Sequence, residues 1–217
     1  AGNRQLRLID SSRGVVPLAN NTVAEHSAHD HHGTTAVNPH IWLDPRRAMQ
    51  QVQTIRDGLI QADPACAQGY RARAEVALQG LRQLDAALAS RLQPYQGRTI
   101  VVLHDYAAYF AQRYRLRALA IVGLPEQNPT PSQLARVIAD VKGTNLGALM
   151  VPSQQSAASL TALARDLQVG VSVFDPLEAT QNPKGGDLAL YRNVMLGNAS
   201  QLVEAFQRAD QQRRSKP

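Results

Sequence analysis

A chain of 217 residues, 44% of them apolar, is long enough to bury a real core as one large domain or two small lobes. No apolar run approaches the ~20 residues a membrane-spanning helix needs, and a single cysteine, Cys66, excludes an internal disulfide. The net charge of +6 is carried by Arg and Lys spread along the chain without interleaved aromatics, which describes a solvated basic surface rather than a nucleic-acid platform.

In chain order, Arg4 to Asp10 reads as a strand followed by a turn at Gly14. Residues 19–37 are polar and aperiodic, and they are expected to form a mobile loop. That loop holds His26, His29, His31 and His32, four of the six histidines, a composition that suits metal capture. From Pro45 to Ala62, the residues Ala48, Val52, Ile55 and Leu59 recur at helical spacing. Asp63-Pro64 breaks the chain, and a second helix follows to about Leu92 with Ala77, Leu81, Leu84, Leu88 and Leu92 as its apolar stripe. At 1.5 Å per residue it is on the order of 40 Å long, a spine between lobes that ends at Pro94 and Gly97. Cys66, beside helix-forming residues, is expected to be a packed thiol.

The remainder alternates: strand 99–103, helix 105–115, strand 117–122, helix 131–142, strand 146–151, helix 156–167, strand 169–174, and a closing amphipathic helix through Tyr191, Met195, Ala199, Leu202 and Phe206. Strands alternating with helices predict a parallel α/β sheet with right-handed crossovers. Ligands of open α/β sheets bind beyond the carboxyl ends of the strands. His104, Pro152-Ser153-Gln154 and Asp175 all fall at such ends, and His40 precedes a helix capped by Asp44 with Pro45 in its first turn. Singly, each has an ordinary structural use: a packed imidazole, a turn carboxylate. Together, two imidazoles and a carboxylate at element ends make a shell for a borderline metal.

The residues Asn38-Pro39-His40-Ile41-Trp42-Leu43-Asp44-Pro45, then Asp63-Pro64, His104-Asp105-Tyr106 leading to Tyr109-Phe110, and Phe174-Asp175-Pro176-Leu177 carry a resemblance. In that order they are similar to the periplasmic zinc-binding receptors of ABC transporters, the cluster A-I solute-binding family, whose other members bind manganese or iron. The resemblance implies two α/β lobes joined by one rigid helix, with the metal between them. It divides this chain into the end of an N-terminal lobe with a His-rich loop (1–44), linking helices including the spine (45–93) and a parallel-sheet C-terminal lobe (94–217). It implies His40, His104 and Asp175 as metal ligands and His26, His29, His31 and His32 as accessory loop ligands. Manganese-type relatives usually have Glu where this chain has His104, so zinc is expected over manganese. A further histidine ligand of the family lies in the part of the N-terminal lobe that precedes Arg4, so a fourth donor from water or the loop is expected here. The chain is then a fragment or a shortened protein, its signal peptide absent, and the unpaired strand edge at its start invites self-association. The implied function is extracytoplasmic capture of zinc and delivery to an ABC permease, without catalysis. Two other classes are a surface adhesin or scaffold, for which no motif speaks, and a zinc hydrolase, for which no His-Glu-x-x-His is present.

Overall fold

The computed structural model describes residues 6–19, 37–122, 129–152, 158–178 and 187–215. Four strands, β1 (Thr99–His104), β2 (Arg117–Val122), β3 (Leu146–Pro152) and β4 (Val171–Phe174), form one parallel sheet in the order β2-β1-β3-β4. The first two helices, α1 (Pro45–Ala62) and α2 (Ala67–Leu92), precede the sheet. The others alternate with or follow its strands: α3 (Ala108–Arg113), α4 (Pro131–Val141), α5 (Ala158–Asp166) and α6 (Leu188–Arg214). This is the α/β architecture expected from the alternation of apolar runs.

Both faces of the sheet are covered, as parallel sheets require, and every residue of β1 and β3 is buried. Ile100 and Val102 point into a core shared with Leu84, Leu88 and Leu92 of α2 and Met195, Leu202 and Phe206 of α6. Val101 and Leu103 point the other way, toward Val137 of α4 and Leu160 and Leu163 of α5. The two-residue period of a strand therefore sets His104 on the α2/α6 side, at the carboxyl end of a central strand. Gly147 lies where α6 crosses β3, and a Cβ there would run into the ring of Phe206. Gly147→Val is expected to overpack this contact by about 1–3 kcal/mol, lowering the melting temperature by roughly 2–12 °C in a thermal denaturation scan.

The helices ahead of the sheet form a hairpin. Asp44 caps α1 by accepting the Arg46 N–H at 2.8 Å, and Pro45 occupies the first turn. A short 3-10 turn, Pro64–Cys66, leads into α2, whose 26 residues span about 39 Å. Its buried row is Ala74, Leu78, Leu81, Leu84, Leu88 and Leu92, with Asp85 among them; Ala77 lies only half-buried at the margin. No helix among the described residues is long and apolar enough to cross a membrane.

Three expectations are corrected. The strand at Arg4–Asp10 does not form over its described part, residues 6–10, so the strand edge that suggested self-association is absent there. The segment lies along α1 instead, where the side chain of Ile9 fills the space above Gly58 and Gln51 donates to Ser11. Cys66 is exposed rather than packed, and its hydrogen bond to Asp63 raises the thiol pKa. The helix expected from residue 105 begins only at Ala108, because the Tyr106 N–H turns back to the His104 carbonyl at 2.8 Å. The His-rich loop lies outside the described residues except at its ends, where Ala19 and Val37 pair in an isolated antiparallel bridge.

Candidate metal centre

His40 stands just before a 3-10 turn, Ile41–Leu43, that runs into α1. Leu43 is fully buried in the α2/α6 core and anchors that turn. The indole N–H of Trp42 donates to the Pro176 carbonyl at 2.9 Å, and the Tyr191 hydroxyl donates to the Trp42 carbonyl at 2.7 Å. The His40 segment is thereby tied both to the loop after β4 and to α6. Its ring is buried, with Nδ1 2.9 Å from Asn38 Oδ1 and Nε2 2.6 Å from Glu178 Oε1.

His104 ends β1, and its imidazole centroid lies 5.5 Å from that of His40. The third participant is Glu178, four residues beyond the end of β4. Asp175 opens the intervening turn: its N–H donates to Asn198 Oδ1, Asn198 Nδ2 donates back to its carbonyl, and its own Oδ1 accepts the Leu177 N–H, each at 2.8 Å. Leu177 then adopts φ 57°, the left-handed region that a branched side chain seldom enters. That reversal directs Glu178 back over the two histidines.

One nitrogen from each of His40 and His104 and one oxygen of Glu178 lie within 4.8 Å of one another. Glu178 Oε1 is 2.6 Å from His40 Nε2 and 3.5 Å from His104 Nε2. Two donors about 2.0–2.1 Å from a tetrahedral zinc stand about 3.3 Å apart, so modest side-chain adjustment admits an ion among all three. Burial pushes the His40 pKa down; Glu178 opposes that shift and His104 adds to it, with a lowered value as the net result. The neutral form so favoured is the one that binds metal.

The structure thus brings His40 and His104 together and places Glu178, not Asp175, beside them. One carboxylate oxygen of Asp175, Oδ1, accepts the Leu177 N–H in the turn that leads to Glu178. His26, His29, His31 and His32 lie outside the described residues. The signal that could have found Glu178 was its place as the next acid in the loop after Asp175-Pro176.

The family described as zinc-uptake complex component A, periplasmic (ZnuA), matches residues 1–205. The chain belongs to this family. It is 32% identical over 139 residues to the manganese-binding lipoprotein MntA of Halalkalibacterium halodurans, covering 63% of this chain and 46% of that protein. It is 30% identical over 183 residues to the zinc-binding lipoprotein AdcA of Streptococcus pneumoniae, covering 83% of this chain and 36% of AdcA. The crystal structure of a ZnuA superposes with a TM-score of 0.74 at 29% identity, covering 92% of this chain and 70% of that one. The chain therefore spans less than half the length of these curated relatives.

Proposed function

We propose that the protein is an extracytoplasmic solute-binding receptor that captures zinc and hands it to an ABC permease. The observation that supports this best is the convergence of two buried imidazoles with a carboxylate at the carboxyl ends of parallel strands. Two nitrogens and one oxygen suit zinc better than manganese, which prefers carboxylate and water. Both the zinc-binding AdcA and the manganese-binding MntA are among the relatives, and the donor set is what supports zinc over manganese here. Specificity in this reading comes from ligand type and geometry, and no bond of a substrate is broken. A fourth donor comes from water or a loop histidine, and His26 to His32 collect zinc without holding it tightly. We also retain the division into the end of an N-terminal lobe (1–44), linking helices (45–93) and a C-terminal sheet lobe (94–217), since α1 and α2 pack on each other before the sheet begins.

Calorimetry on the purified chain tests the reading. One tightly bound zinc ion per chain is expected, with manganese at least tenfold weaker; equal or tighter manganese binding favours the manganese-receptor alternative. Glu178→Gln, which removes the charge but keeps the shape, is expected to weaken zinc binding by about tenfold or more. The parallel variant Asp175→Asn identifies the carboxylate: a larger loss there than at Glu178 would restore Asp175 as the donor. Turnover of model esters or peptides by the zinc-loaded chain would move the protein to the hydrolase class.

A further inference from the structure

We infer that Asn38 is the positioning residue of the centre, one carboxamide that sets both the proton location on His40 and the separation of His40 from His104. This rests on the reading of His40 and His104 as metal donors. Asn38 is fully buried. Its Oδ1 accepts the His40 backbone N–H at 3.0 Å and lies 2.9 Å from ring Nδ1. Its Nδ2 donates to the Asp105 carbonyl at 2.5 Å, across 67 residues of sequence.

These contacts fix the orientation of the amide. A flipped carboxamide would set an oxygen against the Asp105 carbonyl and an NH2 against the His40 backbone N–H, losing both bonds. With Oδ1 facing His40, an oxygen that can only accept requires the proton on Nδ1. Nε2 is then the nitrogen left to turn toward Glu178 and His104, as its contact with Glu178 at 2.6 Å shows. Hydrogen bonding at the far nitrogen is what selects the ligating nitrogen of a histidine.

The same carboxamide also sets a distance. Asp105 follows His104 directly, so the Nδ2 bond ties the end of β1 to the residue two before His40. The Asn38 backbone is held as well. Its N–H donates to the Leu18 carbonyl at 2.9 Å, and its carbonyl accepts the Tyr109 hydroxyl at 2.9 Å, itself held by the Leu18 N–H at 3.0 Å. A buried network with its donors and acceptors paired is stiff. A residue that only shaped the turn would need the bond to the His40 backbone and nothing further.

The first test needs no variant and no metal. Long-range proton–nitrogen correlation on the metal-free, nitrogen-15-labelled chain at about pH 8, above the ordinary histidine range, is expected to show His40 protonated at Nδ1, whether or not Nε2 also shares a proton with Glu178. A ring protonated at Nε2 alone overturns the inference. Because that readout is independent of zinc, its failure is separable from failure of the receptor reading, which shows in the zinc titration itself.

Two variants divide the roles. Asn38→Asp keeps the acceptor for His40 but loses the donor to Asp105; it is expected to retain the Nδ1 proton and to lose less zinc affinity than Asn38→Leu. Asn38→Leu removes both and is expected to weaken zinc binding about 10–100-fold while releasing the His40 proton from Nδ1. An Asn38→Leu chain that folds and binds zinc with wild-type affinity overturns the inference. Should that variant not fold, the wild-type spectrum and Asn38→Asp decide, and a ring protonated at Nε2 alone in either is the negative result.

Discussion

His104→Ala is expected to lower zinc affinity by more than about a hundredfold, because loss of a direct donor must exceed the 10–100-fold cost of losing a residue that merely supports one. The centre has few donors to spare: among the described residues, a single group of three combines His40, His104 and Glu178. Removing His104 leaves one imidazole and one carboxylate, a pair that holds zinc no better than many surface sites. The fold should survive the change, since Tyr106, Phe110 and Phe174 continue to fill the surrounding core. Deletion of residues 26–32 supplies the contrast: tight binding should persist within a few-fold, with only weaker, additional zinc binding lost. Competition against a chelator of known affinity measures both. Equal affinity in the wild type and His104→Ala would remove His104 from the centre, and the receptor reading with it.

The second large effect concerns the framework behind the centre. Asp85 lies on the buried face of α2. One of its carboxylate oxygens accepts Arg113 Nε at 2.8 Å and the Tyr114 hydroxyl at 3.2 Å; the other accepts Arg113 Nη2 at 2.6 Å and Arg46 Nε at 3.3 Å. It therefore joins three helices: α2 to α3 through Arg113, and to α1 through Arg46. Asp85→Ala leaves the largely buried guanidinium of Arg113 without its main partner, a loss of about 3–5 kcal/mol and roughly 6–20 °C in melting temperature. An unchanged melting temperature would show that the network contributes nothing net.

The same carboxylate predicts a pH dependence. Burial by itself pushes Asp85 up, but Arg113, Arg46 and Tyr114 more than reverse this and hold it below the usual carboxylate value. The unfolded chain therefore binds this proton first as pH falls. The stabilisation is fully present above the ordinary aspartate pKa of about 3.9 and is lost as pH falls through the lower folded value. Acid titration of stability should accordingly be shallower in Asp85→Ala than in the wild type.

The sheet and its helices were legible because the central strands β1 and β3 are apolar runs buried on both faces, the edge strands β2 and β4 are partly buried apolar runs, and α2 and α6 each carry a buried stripe at helical spacing. His40 and His104 were legible for a related reason: both stand where an element begins or ends, and sequence pattern marks such breaks. Glu178 was hidden by its own support. Asp175-Pro176 ends a strand and carries the more conspicuous carboxylate, while the decisive event, Leu177 entering the left-handed region, has no sequence signature in a leucine. Asn38 opens the Asn38-Pro39-His40 motif, but its role depends on a bond to Asp105, and contacts across 67 residues have no local pattern. The expected strand shows the opposite failure over its described part, residues 6–10. Apolar residues were present, but among the described residues no strand lies beside this segment, and Ile9 packs on α1 instead.

The side chains of His40 and His104 are 2% and 4% exposed, whereas that of Glu178 is 35% exposed. Among the described residues, an ion between them would be walled by protein on its imidazole flank and less covered on the side of the carboxylate. Among the described residues the open side of the site is thus its carboxylate, carried by the reversal at Leu177 and braced by the Trp42–Pro176 bond.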